Sequence, residues 1–313
     1  MDVTEVIEGV LAGERRAVAR AISLVEDGAE ELRALSAGIY ARTGSASTVG
    51  LTGAPGVGKS TLAGELVRAA RERDERVAVL AVDPTSPFTG GALLGDRVRM
   101  QEHATDPGVF IRSMATRGHL GGMALAAPEA VRILEAAGHD LVVVETVGVG
   151  QAEVDVAAAT DTTIVVLAPG AGDAVQMAKA GILEIADVFV VNKGDRDGAR
   201  ETARDLRQML QMGAAREWAP PVLITTATGA SGLRELWTAV VEHREHLAAT
   251  GGLAKRRRDR LRREVESLAA EGLRARIAAA FDADPSLQDD LAARRVDPYR
   301  AAAILETTAA AAD

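Results

Sequence analysis

A chain of 313 residues, 47% hydrophobic and 26% charged, has the composition of a globular protein with an ample core. Its formal net charge of −9 argues against general nucleic-acid binding, and no apolar run reaches the length of a bilayer span, so neither nucleic acid nor membrane is expected as a partner. The absence of cysteine excludes disulfides, thiolate zinc sites and iron–sulfur clusters. Together with the acids Asp2, Glu5 and Glu8 where a signal peptide would carry bases, it predicts a cytoplasmic protein.

Residues 1–45 read as an N-terminal helical extension outside the main fold. Val18, Ala21, Ile22 and Val25 form a helical stripe, and Gly28 is a plausible stop. A helix packed on the main domain accounts for this pattern; a partner-binding role is the alternative. From residue 46 to 249, strand and helix patterns alternate. That alternation predicts an α/β fold with a mostly parallel sheet covered by helices on both faces. The strand candidates are Val77–Val82, Val109–Ile111, Leu141–Val144, Ile164–Leu167, Val188–Val191 and Val222–Thr225, apolar on both faces as a buried parallel sheet requires. Ligands of such sheets sit at the carboxyl ends of the strands.

The apolar run Val49-Gly50-Leu51 leads into Gly53-Ala54-Pro55-Gly56-Val57-Gly58-Lys59-Ser60-Thr61. This has the P-loop form, in strand–loop–helix context, and makes the alternating domain a P-loop NTPase. Glycines let successive backbone N–H groups turn inward, the following helix adds its partial positive charge, and Lys59 adds a full one. Ser60 is the candidate hydroxyl ligand for a Mg2+ ion bridging the outer phosphates. Lysine is scarce: of 36 basic residues only Lys59, Lys179, Lys193 and Lys255 are lysines. Where arginine serves nearly everywhere, a remaining lysine points to a site that needs a compact ammonium.

The next strand ends at Asp83, followed by Pro84, Pro87, three glycines and Asp96. Asp83 and Asp96 are candidates for magnesium or water positioning, with turn-forming aspartates as the alternative. The strand Leu141–Val144 ends at Glu145, then Gly148 and Gln151. An acid at that place is where P-loop proteins keep their metal-directed carboxylate. Gly148 would let a backbone N–H approach the terminal phosphate, and Gln151 is a weaker candidate for orienting water. After the strand VFVV stands Asn192-Lys193-Gly194-Asp195, the N-K-x-D form that reads guanine. Asp195 can accept from the ring N–H and the exocyclic amine, a donor pair that adenine lacks, while Lys193 lies against the purine face and Asn192 ties the loop to the P-loop. Thr226, Ala227 and Thr228 follow the last strand, where a backbone N–H would meet the guanine carbonyl. Between these ends, Asp173 and Lys179 are either a helix cap and a surface charge or parts of a third loop reporting nucleotide state. The site read from the residues is thus GTP or GDP with Mg2+. Lys59, Asp83 and Glu145 are its catalytic candidates, and Arg97, Arg99, Arg112 and Arg117 are available as an arginine finger.

Residues 250–313 form a C-terminal helical arm. Lys255 to Arg263 is strongly basic and reads as a solvated helix face, with self-association as the alternative. His243 and His246 lack metal-ligand companions and read as surface residues.

The strings ERRAVARAISLVEDG, DPTSPFTGGALLGDRVRM, FIRSMATRGHLGG, ETVGVGQAE and PGAGDAVQMAKAGILEIADVFVVNKGD resemble the ArgK/MeaB family of GTPases, relatives of the human methylmalonic aciduria type A protein. The resemblance covers residues 14 to 245 strongly and the arm loosely, and it departs at Ala152, where the family commonly has serine. It implies a GTPase that escorts adenosylcobalamin-dependent methylmalonyl-CoA mutase or a close relative, gating cofactor loading and protecting the enzyme. It also implies a homodimer formed through the arm, and a switch segment containing Asp173 and Lys179 that answers to the mutase. The readings weighed beside it are an amino-acid transport kinase, a metal-insertion GTPase and a module that holds GTP without hydrolysing it.

Overall fold

The computed structural model describes residues 1–83, 103, 105–115, 123–146, 152–170, 182–213, 216–229 and 231–310. Among these, strands β1 (Ser47–Thr52), β2 (Val77–Asp83), β3 (Val109–Ala115), β4 (Leu141–Thr146), β5 (Thr162–Leu167), β6 (Val188–Val191) and β7 (Val222–Ile224) form one parallel sheet in the order β3-β2-β4-β1-β5-β6-β7. The strand β1 that feeds the P-loop lies at the centre, flanked by β4 and β5. The order reverses direction on either side of β1, which opens a crevice at the carboxyl ends of the central strands.

Both faces of the sheet are covered, as the continuous apolar runs require. On one face Leu51, Val143, Ile164 and Val190 share a core with α4 (Lys59–Arg71) and with Leu236 and Val240. On the other, Leu80, Val82, Val142 and Val144 meet α5 (Met123–Ala136) and α6 (Ala152–Ala159). The same layer takes in the N-terminal helices α1 (Val3–Leu11), α2 (Arg15–Asp27) and α3 (Leu32–Ile39). The stripe Val18, Ala21, Ile22, Val25 is buried in it, and α2 ends at Gly28, whose φ of 60° lies in the left-handed region that glycine enters without Cβ strain. Further along, α7 (Ile182–Ile185) precedes β6, and α8 (Ala199–Met212) buries Ala199, Ala203 and Leu206 against Val165, Leu167, Phe189 and Val191.

Three expectations are corrected here. Arg112 is no candidate finger: it lies in mid-β3, and its guanidinium donates to Glu26 at 2.6 Å and to the Ser23 hydroxyl at 2.9 Å, pinning α2 to the edge strand. His243 is not a surface residue. It sits fully buried in α9 (Leu233–Ala249), with Nδ1 2.9 Å from the Thr162 hydroxyl and Nε2 3.2 Å from Asp187. Nor is the basic run simply a solvated face. In the first turns of α10 (Gly252–Asp282), Arg256 forks onto Asp187 at 2.7 and 2.8 Å. Arg257 and Arg260 share Asp161, at 2.6 and 3.1 Å. Both carboxylates are buried at the amino ends of β5 and β6, where helix and sheet remove water and leave arginine as the counter-charge.

The chain divides into two compact units, Met1–Arg260 and Leu261–Asp313, with the division inside α10. In the second unit, α11 (Pro285–Ala292) and α12 (Pro298–Ala310) contribute to a small core of Leu287, Ala301 and Leu305 with Ile277, Phe281 and Leu291. Among the described residues no helix is long and apolar enough to cross a membrane.

Candidate nucleotide-binding site

The P-loop turns on three glycines with φ of 140° (Gly53), 74° (Gly56) and 101° (Gly58). Two of them also yield space. A Cβ on Gly53 would stand 2.1 Å from the Val166 carbonyl, and one on Gly58 would stand 2.3 Å from the Asn192 amide nitrogen. Gly56 has nothing within 4 Å of its missing Cβ. The first and last glycines therefore let the loop lie against β5 and against the loop after β6, and the middle one leaves an open concavity. Gly58 caps α4, so the helix's unpaired first-turn amides face that concavity.

Lys59 and Ser60 are both nearly buried. The Lys59 ammonium donates to the carbonyls of Gly53 at 2.7 Å and Ala54 at 3.0 Å, which holds a full positive charge inside the loop's own curve. The Ser60 hydroxyl donates to Glu145 Oε1 at 2.7 Å. This pairing joins α4 to β4: Glu145 is in register with Leu51 of β1, and both face α4. Pro55 is exposed, Val57 is buried, and Ala54 and Thr61 are half-buried.

The N-K-x-D segment is tied to this loop directly. Asn192, 3% exposed, donates its side-chain N–H to the Val57 carbonyl at 2.8 Å. Its side-chain oxygen accepts from the Thr225 hydroxyl at 3.1 Å and from the Ala227 N–H at 3.3 Å. Lys193, itself at a φ of 58°, reaches back to the Gly56 carbonyl at 2.6 Å. Gly194 N–H donates to Thr225 O at 2.8 Å, and Asp195 is exposed beside them. Thr226 is half-buried and Thr228 exposed at the short turn Ala227–Gly229.

One amide side chain thus joins phosphate loop, base-reading loop and the end of β7. Thr225 was missed as a positioning group, because the apolar run VLIT reads as strand to its last residue. In fact β7 stops at Ile224 and frees the hydroxyl for Asn192. The one available signal was the threonine doublet Thr225-Thr226.

The backbone of Asp83 ends β2, but its side chain lies outside the described residues. So do Asp96, Gly148, Gln151, Asp173 and Lys179, and the arginines Arg97, Arg99 and Arg117. Among the described residues no group of three or more His, Cys, Asp or Glu side chains gathers. The pair Ser60 hydroxyl and Glu145 carboxylate nevertheless suits Mg2+, a hard cation that takes one or two protein oxygens and fills its octahedron with phosphate and water.

Comparison with known proteins agrees with this geometry. A family model described as methylmalonyl-CoA mutase-associated GTPase MeaB matches residues 18–282. The chain is 48% identical over 304 residues to a Pyrococcus horikoshii protein named as a GTPase, covering 96% of each. It is 38% identical over 278 residues to GTPase ArgK of Escherichia coli, covering 84% of each. The crystal structure of an LAO/AO transport system kinase superposes with a TM-score of 0.69 at 28% identity, covering 98% of this chain and 97% of that one.

Proposed function

The chain belongs to the MeaB family of methylmalonyl-CoA mutase-associated GTPases, and from that premise we propose that it is a cytoplasmic GTP-hydrolysing chaperone of an adenosylcobalamin-dependent acyl-CoA mutase. Methylmalonyl-CoA mutase or a close relative is the partner proposed, and cofactor loading and protection of the mutase are the roles. The observation that carries the nucleotide reading is Asn192. A buried amide bonded at once to Val57 and Ala227 couples a triphosphate cradle to a guanine-reading loop.

In this reading the loop amides and the Lys59 ammonium bind the phosphates and stabilise the charge that develops as water attacks the outer one. Ser60 and Glu145 would hold Mg2+, which when bound neutralises phosphate-oxygen charge. Asp195 selects the base by accepting two N–H groups, and Lys193 covers the purine face. Asp83 and Asp96 are proposed to position metal and water, Gly148 to bring a backbone N–H to the terminal phosphate, and Gln151 to orient water. Asp173 and Lys179 are proposed to carry nucleotide state to the mutase.

The arm is proposed to pair two copies, a reading supported by Leu261, Val265 and Leu268, exposed on α10 at the spacing of one helix face. Capture of purified methylmalonyl-CoA mutase on the immobilised chain tests the partnership. Retention that changes between GDP and a non-hydrolysable GTP analogue is expected; no retention with either nucleotide removes the chaperone role. The likeness to the LAO/AO transport system kinase favours a second reading, phosphoryl transfer to a small substrate. Labelled γ-phosphate recovered on anything but water would support that one.

Base selection is tested by Asp195→Asn. The carboxamide offers one acceptor and one donor where guanine needs two acceptors. The variant is expected to lose GTP affinity by about tenfold or more and to gain affinity for xanthosine triphosphate, whose 2-oxo group accepts a bond. Unaltered preference for GTP over both ATP and xanthosine triphosphate would remove the base-reading role.

A further inference from the structure

Two threonines at the carboxyl ends of the central strands stand out. Thr52 ends β1 and Thr146 ends β4, each 0% exposed. Among the described residues neither hydroxyl has a hydrogen-bond partner. Buried polar side chains in folded proteins are nearly always paired, because a buried unmade hydrogen bond forfeits the water it replaced. Each such group therefore asks for a reason, and two side by side at the edge of a phosphate cradle ask for a common one.

Their placement supplies it. Thr146 is in register with Val82, and Thr52 with Val165. Those valines lie on the sheet face opposite α4, the face that carries α5, α6 and α8. Glu145 and Leu51, one residue earlier in each strand, face α4. Each strand end thus turns one side chain toward α4 and the next toward the layer of α6.

That helix follows β4 in the chain and packs on β1 at Gly50. A Cβ on Gly50 would stand 2.6 Å from Val156 Cγ1 and 2.6 Å from the Thr160 hydroxyl. Glycine at this position leaves a smooth track of bare backbone under α6. The first-turn amides of α6, like those of any helix, have no acceptor within the helix. At its far end α6 is held by Arg260, whose Nε donates to the Ala158 carbonyl at 3.0 Å.

We propose that Thr52 and Thr146 are positioning residues of the triphosphate-bound state: their hydroxyls lack partners in the arrangement described here and gain them from the α6 backbone when GTP draws that helix along the Gly50 track. The two unmade bonds would make this arrangement less stable than it needs to be, and their formation would favour the GTP-bound one. Differential stabilisation of one state is the only way a ligand can shift such an equilibrium. The inference rests on the GTPase reading above and adds to it a conformational step with named groups.

The isosteric replacements Thr52→Val and Thr146→Val test it in the full chain, because they act with opposite sign on the two states. Without nucleotide each variant is expected to melt higher than wild type, by about 2–4 °C, since an unpaired buried hydroxyl is replaced by a methyl of the same shape. Affinity for a non-hydrolysable GTP analogue is expected to fall about fivefold by calorimetry while GDP affinity stays put. Thr→Ser at the same positions is expected to restore the wild-type ratio. A melting temperature that falls or does not move overturns the proposal, because the hydroxyl is then already satisfied, by water or protein. Equal loss for both nucleotides overturns it as well, as does a valine variant that fails to fold while the serine variant folds. If the wild-type chain takes up neither guanine nucleotide, the GTPase reading falls first and the inference with it.

Discussion

Replacing Lys59 by alanine is expected to lower single-turnover GTP hydrolysis by about 10³-fold or more. The figure follows from what surrounds the ammonium. It is 6% exposed and donates to the Gly53 and Ala54 carbonyls, so its charge is presented from within the loop at little cost in reorganisation. A charge held in so dry a place acts on the transferred phosphoryl group with little screening. Alanine removes that charge and also strips two loop carbonyls of their donor, so GTP affinity is expected to weaken as well. Arginine should not rescue the loss, because a planar guanidinium fork does not fit a slot shaped around a slim stem and a point charge. Rapid-quench measurement on saturated enzyme, with calorimetric GTP affinity beside it, separates the chemical step from binding. A Lys59→Ala rate within tenfold of wild type would falsify the assigned role.

The cradle was legible in the sequence because its logic is local. Gly53, Gly56, Gly58 and Lys59 lie within one turn of loop, and the apolar strands on either side announce themselves without reference to anything distant. The N-K-x-D segment is local in the same sense, and the strand VFVV before it coincides with β6. What stayed hidden is what depends on long-range pairing. Arg256 meets Asp187 across 69 residues of chain, and Arg257 meets Asp161 across 96. Read along the chain, those arginines join Lys255 to Arg263 as an undivided basic run, and only the fold sorts inward from outward. His243 misled for the same reason, since its partners Thr162 and Asp187 stand on other elements. Arg112 reads as available along the chain because its partner, Glu26, lies 86 residues away. The short β7 shows a smaller lapse: apolar continuity gave Thr225 to the strand, where hydrogen bonding gives it to the loop.

The second large effect is expected at the opposite end of the sheet from the nucleotide. Asp187→Ala should destabilise the fold by about 3 kcal/mol, since removing one member of a buried ion pair strands the other. Asp187 is 5% exposed and its carboxylate accepts three hydrogen bonds, two from the branches of Arg256 and one from the Thr163 N–H at 2.9 Å, with Nε2 of the fully buried His243 3.2 Å away. Arg256 is itself 40% exposed and can recover water, so the larger share of the cost falls on His243 and the β5 amide. Burial alone would push the Asp187 carboxyl up, but His243 and the Arg256 fork outweigh it and hold the group below the usual carboxylate range. A carboxylate depressed in the folded state stabilises fully above its unfolded pKa of about 3.9, and the contribution is lost as pH falls through the folded value. Denaturant unfolding at neutral pH is therefore expected to separate wild type from Asp187→Asn by a gap that closes in acid, below the folded pKa. GTP hydrolysis by the folded variant should stay near the wild-type rate, because β6 keeps Asp187 at one end and Asn192 at the other. A gap that persists unchanged into acid would mean the carboxylate's charge is not what stabilises this corner. A lost rate in a stably folded variant would mean the corner speaks to the nucleotide site after all.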